Sequence, residues 1–139
     1  MKAKKKIILT IIITNFNKEK YLNECLKSIT EQKLEKIEII LIDDKSSDRS
    51  KKILEKYKKK IQIIYNKRNL GPSICRNIGI KRANGIYVAF VDADDKIYST
   101  LNTIINNISH QKKNNQLIIL KYISTNHKLN NNNLFLNKK

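Results

Sequence analysis

Residues 37–48 read Ile37-Glu38-Ile39-Ile40-Leu41-Ile42-Asp43-Asp44-Lys45-Ser46-Ser47-Asp48. The near-continuous apolar run Ile37–Ile42 reads as a strand buried on both faces, the pattern of a parallel sheet covered by helices on either side. The segment after it is polar and rich in turn formers and helix N-caps. The same alternation recurs in both directions. Upstream, Ile7–Thr14 is a short Ile/Thr-rich strand, and Lys18–Gln32 follows helical period with Tyr21, Leu22, Cys25, Leu26 and Ile29 on one stripe. Downstream, a helix to about Lys59 carries Ile53, Leu54 and Tyr57, and Ile61–Tyr65 is a third strand. In the loop Asn66–Pro72, Gly71 is free to take a positive φ and Pro72 suits the first turn of a helix. That helix carries Ile74, Cys75, Ile78 and Arg82 and stops near Asn84-Gly85. Ile86–Val91 is a fourth strand, and Ser99–Ser109 a fourth helix with Leu101, Ile104, Ile105 and Ile108 in register. Leu117–Ile123 reads as a fifth strand and Ser124–Lys139 as a poorly ordered, Asn-rich tail.

Composition agrees with one α/β domain. The chain has 139 residues, 40% of them hydrophobic, with 29 Lys+Arg against 12 Asp+Glu for a net charge of +17. That length supports a real core, and the apolar content argues against wholesale disorder. Cys25 and Cys75 are too few and too far apart for a disulfide framework or a zinc site, and read as small core residues. His110 and His127 lack metal-ligand spacing. Lys2 and Lys4–Lys6 before Ile7–Ile13 imitate a signal peptide, but Asn15 and Asn17 end the run and no cleavage site comes after them. The run is also too short to span a membrane, so the expectation is a cytoplasmic protein. The lysines are spread along the whole chain. They read as a solvated surface, with attraction to an anionic membrane surface, and so a membrane-peripheral place, as the functional alternative.

Alternating strands and helices imply βαβ units and a mostly parallel sheet, in which ligands bind at the carboxyl ends of the strands. Thr14–Asn17, Asp43–Asp48, Asn66–Pro72 and Asp92–Asp95 all come directly after a strand, so they should converge on one rim. Asp92 and Asp94, two apart in extended chain, point the same way. With Asp43 and Asp44 on a neighbouring strand end they form an oxygen-only cluster that suits a hard divalent cation, Mg²⁺ or Mn²⁺. No P-loop, GxGxxG fingerprint, GxSxG elbow or kinase motif set is present.

The segments Thr14-Asn15-Phe16-Asn17-Lys18, Ile40–Asp48, Asn69-Leu70-Gly71-Pro72-Ser73-Ile74-Cys75-Arg76-Asn77-Ile78-Gly79 and Gly85–Asp95 together resemble glycosyltransferase family 2. The resemblance runs over about two-thirds of the chain, Ile7–Tyr98, as four motifs in order, each at a strand end. It implies a Rossmann-like, three-layer GT-A fold and a nucleotide-sugar donor. It also implies roles. Phe16 lies near the nucleobase, Thr14 gives a polar contact, and Asp44 accepts the N3–H of uracil. Arg76 is the helix arginine of the donor side. Asp92 is the first acid of the Asp92-Ala93-Asp94 motif, near ribose or metal, and Asp94 is the metal ligand that bridges to the diphosphate.

Some positions depart from the family pattern. Thr14 stands where proline is common, Lys45 replaces a usual glycine after Asp44, and Ile86 replaces a usual glutamate. Members are usually much longer, and their second half builds the acceptor site and supplies the catalytic base. Here no acid occurs after Asp95, so no catalytic residue is identifiable. The expected organisation is a nucleotide-sugar-binding half-domain over 1–110, truncated after the Asp92-Ala93-Asp94 motif, with a residual strand and low-complexity tail over 111–139. Three functions are open. The first is a metal-dependent, inverting transferase taking sugar from a UDP-sugar to a saccharide or lipid-linked acceptor. The second is a donor-binding fragment of weak or absent activity. The third is a basic polyanion binder, for which acids gathered on one rim have no use; no nucleic acid is expected.

Overall fold

The computed structural model describes residues 6–32, 35–97 and 101–109. The elements run β1 (Leu9–Asn15), α1 (Glu19–Thr30), β2 (Ile37–Asp43), α2 (Ser50–Leu54), β3 (Gln62–Tyr65), α3 (Pro72–Arg82), β4 (Tyr87–Asp92) and α4 (Leu101–Ser109). The strands form one sheet in the order β3-β2-β1-β4, and every pairing is parallel: Ile12 lies opposite Ile40 and Phe90, and Ile42 opposite Ile64.

Alternation along the strands divides the core in two. Leu9, Ile11, Ile13, Ile39, Leu41 and Val91 face one side, where Leu22, Cys25, Leu26 and Ile29 of α1, Leu54 of α2, and Leu101 and Ile105 of α4 cover them. Ile12, Ile40 and Ile42 face the other, under Cys75 and the half-buried Ile78 of α3. The outcome is three layers, with the central strands buried on both faces as their composition requires. α3 lies close to the sheet at Gly79, where a Cβ would overlap the Ile12 side chain. It packs on β1 and β2 and leaves Val88 and Phe90, on the same face of β4, the last strand of the sheet among the described residues, 36% and 47% exposed.

Two sequence expectations need correction. The second helix does not reach Lys59. α2 ends at Leu54, and residues 55–60 continue as turns closed mostly by three-residue bonds, such as Tyr57 N–H to Leu54 O and Lys60 N–H to Tyr57 O. Lys51, Lys52, Lys56, Lys58, Lys59 and Lys60 would crowd like charge on a regular helix, and the turns let Tyr57 bury its ring and donate to Asn23 Oδ1 at 2.9 Å. Tyr21, placed on the apolar stripe of α1, and Ile74, placed among the periodic residues of α3, are 52% and 48% exposed. The strand expected at Leu117–Ile123, the tail after it and both histidines lie outside the described residues. No helix among the described residues is long and apolar enough to cross a membrane.

Candidate functional site

The parallel ladder continues one residue past the strand ends and sets them flush. Asp44 N–H donates to Asn15 O (2.8 Å), Asn66 N–H to Asp43 O (2.9 Å) and Ala93 N–H to Thr14 O (3.1 Å). The carboxyl ends of β1, β2, β3 and β4 therefore share one rim. A cleft of about 510 Å³ opens there, and Thr14, Phe16, Asp44, Arg76, Asp92 and Asp94 all line it. That volume lies in the range of small-molecule sites.

Asp92 Oδ1 accepts from Thr14 Oγ1 at 2.9 Å and from Arg76 Nη2 at 2.9 Å. The Arg76 guanidinium also stands 6.0 Å from the centroid of the Phe90 ring, and its Nε is buried with no partner among the described residues. Asp94 Oδ2 is held by the Lys18 ammonium at 2.6 Å, a residue the sequence reading did not single out. That hydrogen bond raises the Lys18 pKa. Burial, and then the charges of Asp94 and Asp92, push the Asp95 carboxyl up.

The carboxylate oxygens of Asp92 and Asp94 are of the kind a hard divalent cation takes, and the site already draws positive charge onto Asp94. The cluster expected with Asp43 and Asp44 does not form, because Asp43 is buried against Asn15 and Ser46 and Asp44 is held by Asn66, Leu70 and Gly71. Among the described residues no three ligating side chains converge. A cation here would take few protein oxygens and fill its shell from water and substrate phosphates, the usual habit of Mg²⁺.

Asp43 and Asp44 divide their work. Asp44 is 3% exposed. Its carboxylate receives Asn66 Nδ2 (2.8 Å) and Leu70 N–H (2.9 Å) on Oδ1, and Leu70 N–H (3.1 Å) and Gly71 N–H (2.8 Å) on Oδ2. It fixes the loop that precedes α3, where Gly71 takes φ +86° before Pro72. The Cys75 thiol also hydrogen-bonds this carboxylate, so Asn66, Leu70, Gly71 and Cys75 together occupy its acceptor capacity. Asp43 is fully buried and ties β1 to the loop after β2. It accepts Asn15 Nδ2 (2.7 Å), Ser46 Oγ (2.6 Å) and Ser46 N–H (3.1 Å). Ser46 Oγ in turn accepts Asn17 N–H at 3.0 Å, and Asn17 Oδ1 accepts Ser47 N–H at 2.8 Å. Asn17 and Lys45 both adopt positive φ, +52° and +61°. Lys45, standing where the family pattern has glycine, thus keeps the left-handed turn at a cost of about 1 kcal/mol.

Asp48 joins the two helix starts, with Oδ2 accepting Glu19 N–H and Oδ1 accepting Ser50 N–H, each at 2.9 Å. Burial pushes the carboxyls of Asp44 and Asp48 up, but the donated bonds outweigh it and both pKa values fall. Each therefore adds stability that is complete above the ordinary carboxylate range and is lost as pH falls through the lowered value. Urea midpoints should drop between about pH 5 and pH 2, and Asp48→Asn should make that drop shallower; an unchanged slope would refute the linkage. Burial also pushes the Cys25 and Cys75 thiols up to about 12 and about 11, which suits buried, unreactive cysteines.

The family model for glycosyl transferase family 2 matches residues 10–136. The chain is 39% identical over 116 residues to the uncharacterized glycosyltransferase EpsJ of Bacillus subtilis, a match covering 81% of this chain and 33% of EpsJ. It is 37% identical over 93 residues to the poly(ribitol-phosphate) beta-N-acetylglucosaminyltransferase TarS of Staphylococcus aureus, covering 63% of this chain and 16% of TarS. The crystal structure of TarS 1–349 in complex with UDP matches with a TM-score of 0.68 at 35% identity, over 74% of this chain and 32% of that one. The chain spans a third or less of the length of these relatives. The likeness to TarS bears out the expected α/β, GT-A arrangement.

Proposed function

The chain belongs to glycosyl transferase family 2, and on that premise we propose that its cleft binds the nucleotide end of a UDP-sugar with a divalent cation, for inverting transfer to a saccharide or lipid-linked acceptor. The observation that carries the reading is the convergence, at one strand-end cleft, of an exposed aromatic ring, two cationic side chains and the acids Asp92 and Asp94. Uracil stacks on Phe16, which lines the cleft and is 45% exposed. Asp44, which lines the cleft, accepts the N3–H of the base in exchange for one of its present donors, which a cytosine ring, lacking that hydrogen, cannot offer. Thr14 and Arg76 hold Asp92 in place beside the ribose and diphosphate, and Asp94 is the residue that would hold the cation. When bound, such a cation neutralises charge on the departing nucleoside diphosphate.

In the transfer, the acceptor hydroxyl oxygen forms a bond to the anomeric carbon as the bond from that carbon to the diphosphate oxygen breaks. The hydroxyl proton passes to a base. This reading assigns donor binding to the strand-end cleft and names no base among its residues.

Calorimetry of the full chain with UDP and Mn²⁺ should give saturable heat, and with ADP and Mn²⁺ far less. Equal or absent heats would overturn the reading. Phe16→Ala should weaken UDP binding roughly tenfold, the scale of one base–aromatic stack, and leave inorganic pyrophosphate binding as it was. A ring that serves only packing would leave both unchanged.

A further inference from the structure

Two cations face two acids across the cleft, and the donor reading gives a task to only one of them. Arg76 on α3 reaches Asp92, and Lys18 reaches Asp94 from the opposite wall. Lys18 is no wandering surface lysine. Before it, Asn17 is fixed at φ +52° by its bonds with Ser46 and Ser47. After it, Glu19 N–H is tied to Asp48. Its own carbonyl accepts Tyr21 N–H at 3.0 Å and Leu22 N–H at 2.9 Å, closing the first turn of α1. The backbone is thus held on both sides, and the side chain, 41% exposed, lies in the cleft with its ammonium on Asp94 Oδ2.

An ammonium in that place competes with any other cation for Asp94. It also stands within the space a diphosphate would enter, and a compact ammonium on a flexible stem can change partners without moving the backbone. A diphosphate and a divalent cation arrive with opposite charges, so an exchange of partners keeps every charge in the cleft matched. Resting on the donor reading above, we propose that Lys18 is the exchange cation of this site. It neutralises Asp94 in the nucleotide-free protein, and it passes to a phosphate oxygen of the donor when Asp94 takes up a divalent ion.

The assignment predicts two effects of opposite sign. Lys18→Met keeps the apolar stem and removes the charge. With nucleotide-free protein, Mn²⁺ binding monitored by the electron paramagnetic resonance signal of the free ion should tighten roughly fivefold. UDP binding in EDTA, measured by calorimetry, should weaken roughly fivefold; both are the scale of one partly exposed ion pair. Lys18→Arg should restore the second effect. Mn²⁺ isotherms that coincide for wild type and Lys18→Met, or UDP affinity in EDTA that does not change, would overturn the role. A wild-type chain that fails to bind UDP with Mn²⁺ present would overturn the donor reading and this inference with it. Wild-type binding together with an indifferent Lys18→Met would overturn the lysine's role alone.

Discussion

Asp94→Asn is expected to lower the affinity for UDP in the presence of Mn²⁺ roughly 30-fold, the scale of one charge-assisted contact. The substitution keeps the shape of the side chain and removes its charge. Asp94 is 38% exposed at its side chain, so nothing buried is disturbed and the fold should hold its stability. Asp92 keeps both of its partners, Thr14 and Arg76. In EDTA the same variant should bind UDP at least as well as wild type, because Lys18 is then released from its acid. Calorimetry at fixed ionic strength separates the two conditions. Equal affinity of wild type and variant with Mn²⁺ present would remove Asp94 from the cation site. The polyanion alternative predicts the reverse pattern: nucleic acid would bind with a steep salt dependence, and Asp94→Asn would be neutral or favourable, because it removes a repelling charge.

The rim was legible because strand-end position is a local property. An apolar run giving way to polar turn formers marks the end of a strand wherever that strand lies in the sheet, so Thr14–Asn17, Asp43–Asp48, Asn66–Pro72 and Asp92–Asp95 could be located without knowing the strand order. Contacts between those segments were not legible. Asn15 meets Asp43 only because β1 and β2 are neighbours in parallel register, which sets Asn15 opposite Asp43. Lys18 was lost among the 29 basic residues, since charge alone does not tell a lysine fixed by its neighbours from one that is solvated. The length of α2 was overestimated for a related reason. Apolar spacing at Ile53, Leu54 and Tyr57 fits a helix, yet the same residues are buried by a tighter set of turns. Ile74 and Tyr21 show the limit of periodicity from another side: a stripe says which residues share a face, while the neighbouring element decides how much of that face is covered. Lys45 shows that a missing glycine does not remove a left-handed turn when the surrounding bonds hold it.

The other large effect falls on Asp43, at the end of β2, which has no assigned role in the donor site. Asp43→Ala should cost about 3 kcal/mol, from leaving buried donors without an acceptor. Asp43 is fully buried, and water cannot replace it at Asn15 Nδ2, Ser46 Oγ or Ser46 N–H. Asn15 Nδ2 keeps a second acceptor in Ser46 Oγ at 3.0 Å, which limits the loss on that side. Ser46 N–H has no such alternative among the described residues. The loss would also loosen Ser46, whose hydroxyl holds Asn17 N–H, and through Asn17 the backbone that aims Lys18 at Asp94. Stability and binding should therefore fall together in Asp43→Ala, whereas Asp94→Asn alters binding alone. Urea unfolding provides the first measurement: against the 5–15 kcal/mol typical of a small domain, a loss of about 3 kcal/mol gives a clear fall in the midpoint. An unfolding free energy within about 0.5 kcal/mol of wild type, the range of an ordinary surface substitution, would show that the network around Asp43 does not hold the rim together.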